Sequence, residues 1–214
     1  MKKQEILNIV DHTVLKACAT WDEVDALCQE AIKFKTASVC IPPSYVKRVA
    51  EKYGDQLTVC TVIGFPLGYN TTEVKIFEAE QAVKQGAKEV DMVVNLGDVK
   101  NGEFDKITDE ISGIKKSING NLLKVIVETC YLTQDEKIKL CECVTKGGAD
   151  YIKTSTGFGT AGAQIEDIEL FKKYIGKDVK IKASGGIRTL EDYEKFANAG
   201  CSRIGASGAA TVLG

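Results

Sequence analysis

Histidine occurs once in this chain of 214 residues, at His12, and no Cys-x-x-Cys pair is present. The usual His-rich and Cys-rich metal constellations are therefore missing, and no metal site is expected. The eight cysteines (Cys18, Cys28, Cys40, Cys60, Cys130, Cys141, Cys143 and Cys201) are scattered through strand-like and helix-like runs, so they read as reduced small hydrophobes, not as a disulfide framework. Proline is scarce, at three residues, and no Pro- or Ser-rich stretch divides the chain. One domain over residues 1–214 is expected. No run approaches the ~18 apolar residues of a membrane span, and residues 1–7 are charged and too poor in apolar side chains for a signal peptide, which predicts a cytoplasmic protein. Net charge is only −2, with lysines and acids interspersed. Without a basic face, neither nucleic acid nor a membrane surface is an expected partner, and a small molecule is.

What the chain does have is alternation. Short β-branched runs at Ile9–Leu15, Ser38–Ile41, Thr58–Ile63, Glu89–Asn95, Leu123–Glu128, Tyr151–Ser155, Lys180–Ser184 and Arg203–Ala206 predict eight strands. Amphipathic stretches lie between them, such as Val24, Leu27, Cys28, Ala31 and Ile32. Thr20-x-x-Glu23 and Thr133-x-x-Glu136 are capping boxes, and Thr189-x-x-Asp192 is a weaker relative. Strands such as Lys124–Glu128 read as apolar on both faces, as parallel strands under helices must be. Eight units of about 27 residues predict an α/β fold, a (β/α)8 TIM barrel. A doubly wound open sheet is the alternative, but its dinucleotide turn needs glycines, and Leu15–Thr20 has none. Residues Lys2–Asn8 are expected to form an extra helix at the lower end of the barrel.

The chemistry should sit at the C-terminal ends of the strands. There, Lys153 occupies a buried strand that runs into the loop Thr154–Phe158. A buried ammonium without a partner is costly, and a neutral lysine amine is the nucleophile that forms Schiff bases with carbonyls. About 29 residues later Lys182 repeats the arrangement ahead of Ser184-Gly-Gly-Ile-Arg188, so two ammoniums would share one interior. A protonated Lys182 would push Lys153 towards neutrality. Alternation also turns Asp91 inward, and Asp11, Thr13 and Glu128 stand at strand ends, so one pocket would hold two lysines and several carboxylates. The turns Ser184–Arg188 and Gly205–Gly208 follow the last two strands, where barrel enzymes hold phosphate on backbone N–H groups. Cys40 is a reactive thiol beside the pocket or a plain core cysteine. His12 and Lys180 read as packing and as a solvated strand entrance.

Seven segments in order carry a resemblance: Asp11–Lys16, Ser38–Pro42, Val62–Gly68, Glu89–Asn95, Lys124–Thr129, Tyr151–Phe158 and Lys182–Arg188. Together they resemble the deoxyribose-phosphate aldolases, from the first strand to the last. The resemblance implies a class I aldolase that reversibly cleaves 2-deoxy-D-ribose 5-phosphate to D-glyceraldehyde 3-phosphate and acetaldehyde, without metal or cofactor. It implies that Lys153 forms the Schiff base, that Lys182 lowers its pKa, and that Asp91 moves protons with a water. It places Asp11, Thr13, Cys40 and Glu128 on the substrate side, and Gly157, Gly185, Gly186, Arg188, Gly205 and Ser207 around the phosphate. A homodimer is the implied assembly. Where the family often carries a glycine, this chain has Ala161, and a position needing positive φ would be strained there. Two rival readings stand beside this one: another Schiff-base sugar-phosphate aldolase or transaldolase, and a sugar-phosphate-binding barrel without catalysis.

Overall fold

Strand and helix alternate as the apolar periodicity predicts. The computed structural model, which describes residues 2–214, begins with α1 (Lys3–Leu7), β1 (Val10–Thr13), α2 (Trp21–Phe34), β2 (Ser38–Ile41), α3 (Val46–Tyr53) and β3 (Val59–Ile63). It continues with α4 (Thr72–Lys84), β4 (Glu89–Val93), α5 (Leu96–Lys100), α6 (Phe104–Ser117), β5 (Leu122–Ile126), α7 (Gln134–Lys146) and β6 (Tyr151–Lys153). The last elements are α8 (Ile165–Tyr174), β7 (Lys180–Ser184), α9 (Leu190–Asn198), β8 (Arg203–Ala206) and α10 (Ala209–Leu213). All three capping boxes form, at the starts of α2, α7 and α9. Each supplies partners to N–H groups that the first helical turn leaves open.

The strands pair in parallel, each with its sequence neighbours, and β8 returns to β1 to close the barrel. Closure sorts side chains into two layers. Outward-facing Val10, Val90, Met92, Leu123, Val125, Ile152, Ile181 and Ile204 pack against helical Ile107, Ile111, Leu140, Ile168, Phe171 and Phe196 in the main apolar core. A second cluster joins Val39, Ile41 and Val59 to Val24, Leu27 and Ala31 of α2 and Val46 and Val49 of α3. Burial of such side chains contributes roughly 1.5–3 kcal/mol each. The inward layer holds the charges.

His12 faces outward, as its parity predicts, with Nε2 2.7 Å from Glu30 of α2, and Lys180 is exposed at the strand entrance. Ala161 departs from expectation. Among the described residues, the non-glycine positions with positive φ are Lys35, Asn119 and Glu128, so the alanine carries no left-handed strain. The close approach in this loop falls on Gly162 instead, where a Cβ would lie 2.1 Å from the carbonyl oxygen of Gly185.

Candidate active site

Seven charged side chains converge inside the barrel. Asp11 comes from β1, Glu89 and Asp91 from β4, Lys124 from β5, Lys153 from β6, Lys182 from β7 and Arg203 from β8. Six are at most 3% exposed, with Arg203 half-buried. Register explains the convergence: Asp91 lies opposite Lys124, Lys153 opposite Lys182, and Lys182 opposite Arg203 on neighbouring strands. Only glycine fits at 205 without pressing on this set, since a Cβ there would sit 3.1 Å from Cε of Lys182.

Asp91 is the hub. Its Oδ2 accepts from Lys153 and from Lys182, each at 2.7 Å, and its Oδ1 accepts from Lys124 at 2.9 Å. The Lys153 and Lys182 ammoniums thus lie no farther apart than twice that first distance. Lys182 also donates to Asp11, which in turn takes Ser38 at 2.8 Å and Arg203 at 2.6 Å. Lys124 meets Glu89 at 2.6 Å, and Arg203 grips both oxygens of Glu89 at 2.8 Å. Burial alone would raise both aspartates. The surrounding cations outweigh it, with Lys124, Lys153 and Lys182 holding Asp91, and Lys182, Lys124 and Arg203 holding Asp11, well below the ordinary carboxylate range. Burial would likewise lower Lys182 and Lys124, but the aspartates keep both above the usual lysine value. Both therefore stay charged at neutral pH. Four cations face three carboxylates, so a fully ionised cluster carries one positive charge in excess.

Above the cluster opens a cavity of about 350 Å3, with Lys153 at its inner end. Thr13, Gly157, Gly185, Gly186, Arg188, Gly205 and Ser207 line it, which brings together most of the residues singled out in the sequence. Gly157, Gly185 and Gly186 adopt φ of +88°, +84° and +78°, which favour glycine. Among the described residues, no acceptor takes the N–H of Gly185 or Gly186. Lys16, Lys153 and Arg188 line the cavity and no carboxylate does, so it suits an anion.

Glu128 and Cys40 stand elsewhere than a substrate-contacting role requires. Both oxygens of Glu128 are taken by Thr156, whose N–H donates at 3.1 Å and whose hydroxyl donates as well. The glutamate, in a left-handed conformation at φ +55°, clasps the loop after β6 and does not line the cavity. Cys40 is fully buried against Cys60, Val62, Leu15 and Phe65. Donor atoms of Cys40, Cys60 and Asp91, and of Asp11, Cys60 and Glu89, lie within 4.8 Å of one another, close enough for a metal. The Lys124 ammonium already sits among them, 3.3 Å from Sγ of Cys60. Glu89, Lys124 and Arg203 escaped the sequence reading. Glu89 shares parity with Asp91, which was the one local signal available for it.

A model of the DeoC/LacD family of aldolases matches residues 6–213. The chain belongs to that family. Two curated relatives described as deoxyribose-phosphate aldolase, from Clostridium botulinum (strain Alaska E43 / Type E3) and Clostridioides difficile (strain 630), are each 57% identical to this chain. The first alignment covers 100% of this chain and 96% of the relative, and the second 98% and 96%. Among solved structures, a deoxyribose phosphate aldolase from Aeropyrum pernix, described as a tetramer, superposes with a TM-score of 0.92 at 31% identity, over 99% of this chain and 91% of its own. As a DeoC/LacD aldolase the protein is an enzyme that makes and breaks carbon–carbon bonds in small molecules, and its fold is the (β/α)8 barrel of its relatives. Among the described residues, no helix is long and apolar enough to cross a membrane.

Proposed function

We propose that this aldolase reversibly cleaves 2-deoxy-D-ribose 5-phosphate into D-glyceraldehyde 3-phosphate and acetaldehyde through a Schiff base on Lys153. The observation that carries the reading is the position of Lys153: its amine stands at the inner end of an acid-free cavity and shares one carboxylate oxygen with a second ammonium. Of the cluster's four cations, Lys153 is the one that faces the cavity. The deprotonated Nζ attacks C1 of the open-chain sugar, and loss of water leaves a protonated imine. Removal of the C3 hydroxyl proton then lets the C2–C3 bond break, its electron pair flowing into the imine to form an enamine while glyceraldehyde 3-phosphate departs. Protonation of the enamine at C2 and hydrolysis release acetaldehyde and restore Lys153.

In this reading Asp91 relays protons through a water, and Lys182, held charged by Asp11 and Asp91, keeps a cation beside the nucleophile. Thr13, whose hydroxyl donates to the carbonyl of Asp11 at 2.7 Å, lines the wall near the sugar. Asp11 acts through Lys182, Cys40 backs the wall from behind Leu15, and Glu128 fixes the loop that presents Gly157. Gly157, Gly185, Gly186, Arg188, Gly205 and Ser207 surround the phosphate, whose binding anchors one end of the sugar while the other reacts. The reading includes a homodimer, which light scattering of the purified protein decides. Its chemical core is tested by treating the protein with acetaldehyde and borohydride and mapping the peptides. A two-carbon adduct confined to Lys153 is the expected result; adducts spread over surface lysines, or none, would sink it.

A further inference from the structure

We infer that Lys16 is a specificity residue for the phosphate, stored on Glu23 until the anion arrives. This rests on the phosphorylated-sugar reading given above. The cavity needs about two cations to match a phosphate dianion, and Lys153 is committed to the carbonyl end of the substrate. That leaves Arg188, from the turn after β7, and Lys16. Because β8 pairs with β1, with Asp11 opposite Gly205 and His12 opposite Ala206, the segment leaving β1 runs beside the segment leaving β8. Lys16 therefore lines the cavity on the side of Gly205 and Ser207, and Arg188 lines it from β7. The two cations approach the glycine turns from different strands.

The ammonium of Lys16 is paired with Oε1 of Glu23, and both side chains are about half exposed, at 53% and 41%. Exposed pairs of this kind are held weakly. A dianion fixed by backbone N–H groups offers a stronger partner, since charge-assisted hydrogen bonds to phosphate exceed a screened surface contact. Release of Lys16 would leave α2 intact, because the other oxygen of Glu23, Oε2, takes the N–H of Thr20 at 2.9 Å in the capping box. Glu23 thus cradles the lysine with one oxygen and caps the helix with the other. Lys16 touches neither C1 nor the cluster around Asp91, so it sets affinity for the phosphate and leaves the chemical step alone.

The test compares Lys16→Met and wild type in two ways. Calorimetric titration with glycerol 3-phosphate, which carries the phosphate and no aldehyde, should show Kd raised about tenfold in the variant. The difference should shrink as salt rises from 0.05 to 0.5 M. Turnover of 2-deoxyribose 5-phosphate should show KM raised by a similar factor with kcat within about twofold, while the rate with unphosphorylated 2-deoxyribose stays unchanged. Glu23→Gln, which removes the competing carboxylate and keeps a side chain able to accept at the cap, should tighten glycerol 3-phosphate about twofold. Equal Kd values in Lys16→Met and wild type, or equal losses with both sugars, would overturn the assignment. A wild type that binds glycerol 3-phosphate but leaves 2-deoxyribose 5-phosphate uncleaved would instead defeat the aldolase reading, with Lys16 still decided by the titration.

Discussion

Lys75 and Lys182 are both fully enclosed by protein, yet their surroundings act on them in opposite directions. Lys75, on α4 outside the barrel, donates to one carboxylate, Glu110 of α6, at 2.9 Å and to the carbonyl of Val93 at 2.9 Å. Burial dominates there: it pushes Lys75 below its ordinary value and Glu110 above the ordinary carboxylate value, so both partners lean towards neutrality. Lys182, inside the barrel, meets two aspartates, and they more than offset burial. The two lysines differ in the number of carboxylates in direct contact, one at Lys75 and two at Lys182. Lys153 belongs to the second setting by location but touches a single carboxylate oxygen, one already serving Lys182. Counter-charge is thus shared at Lys153, the nucleophile of the proposed mechanism, and doubled at Lys182.

The largest expected effect comes from removing the shared position. Lys153→Ala should lower turnover of 2-deoxyribose 5-phosphate by at least about 10^4-fold, as loss of a covalent nucleophile does. Its circular dichroism and melting profile should remain those of a folded barrel, because Asp91 keeps Lys124 and Lys182. Retained turnover would show that the chemistry runs elsewhere. A smaller effect compares the two enclosed lysines directly. Lys182→Met leaves Asp11 and Asp91 short of a shared partner and should cost about 3–5 kcal/mol in urea unfolding. Lys75→Met leaves Glu110, already displaced towards its neutral form, and the carbonyl of Val93 without the ammonium, and should cost about 1–2 kcal/mol with turnover unchanged. Equal costs would mean that carboxylate count does not govern the difference.

How far the sequence reaches is instructive in the same terms. The eight strands and three capping boxes were legible because each depends on residues within one turn or one short run. Four strands nevertheless end two residues earlier than expected, at Thr13, Val93, Ile126 and Lys153. The chains leave the barrel wall at those ends, and those after β1 and β6 run into loops that line the cavity. Lys153 and Lys182 were legible from parity and from the glycine-containing turns after them, and Asp91 from parity alone. Lys124 was not, because a lone lysine in Lys124–Glu128 reads as one polar residue in an apolar strand until register sets it opposite Asp91. Arg203 needs the same knowledge of closure, since its partners Asp11 and Glu89 come from β1 and β4. Glu128 shows the converse, for its place at the end of β5 suggested substrate contact, whereas its left-handed backbone turns the carboxylate to Thr156.

The smallest expected effect is in the pH dependence of stability, and the two regions should tilt it in opposite senses. Asp11 and Asp91 have folded values depressed below the ordinary carboxylate range, so the unfolded chain binds their protons first as pH falls. Their contribution is present above about pH 4 and is lost as pH drops through the folded values. Glu110 is displaced upward, so above its unfolded value the folded chain retains a proton that the unfolded chain has released. Its contribution is full in acid and declines as pH rises from about 4.5 through its folded value. Urea midpoints for wild type and Glu110→Gln measured from below pH 4 up to pH 7 separate the two. The variant should lose the declining component and keep the acid-side loss below pH 4. An unchanged slope in Glu110→Gln would place Glu110 among fully ionised carboxylates and erase the contrast between the paired lysine on α4 and the doubly held lysine in the barrel.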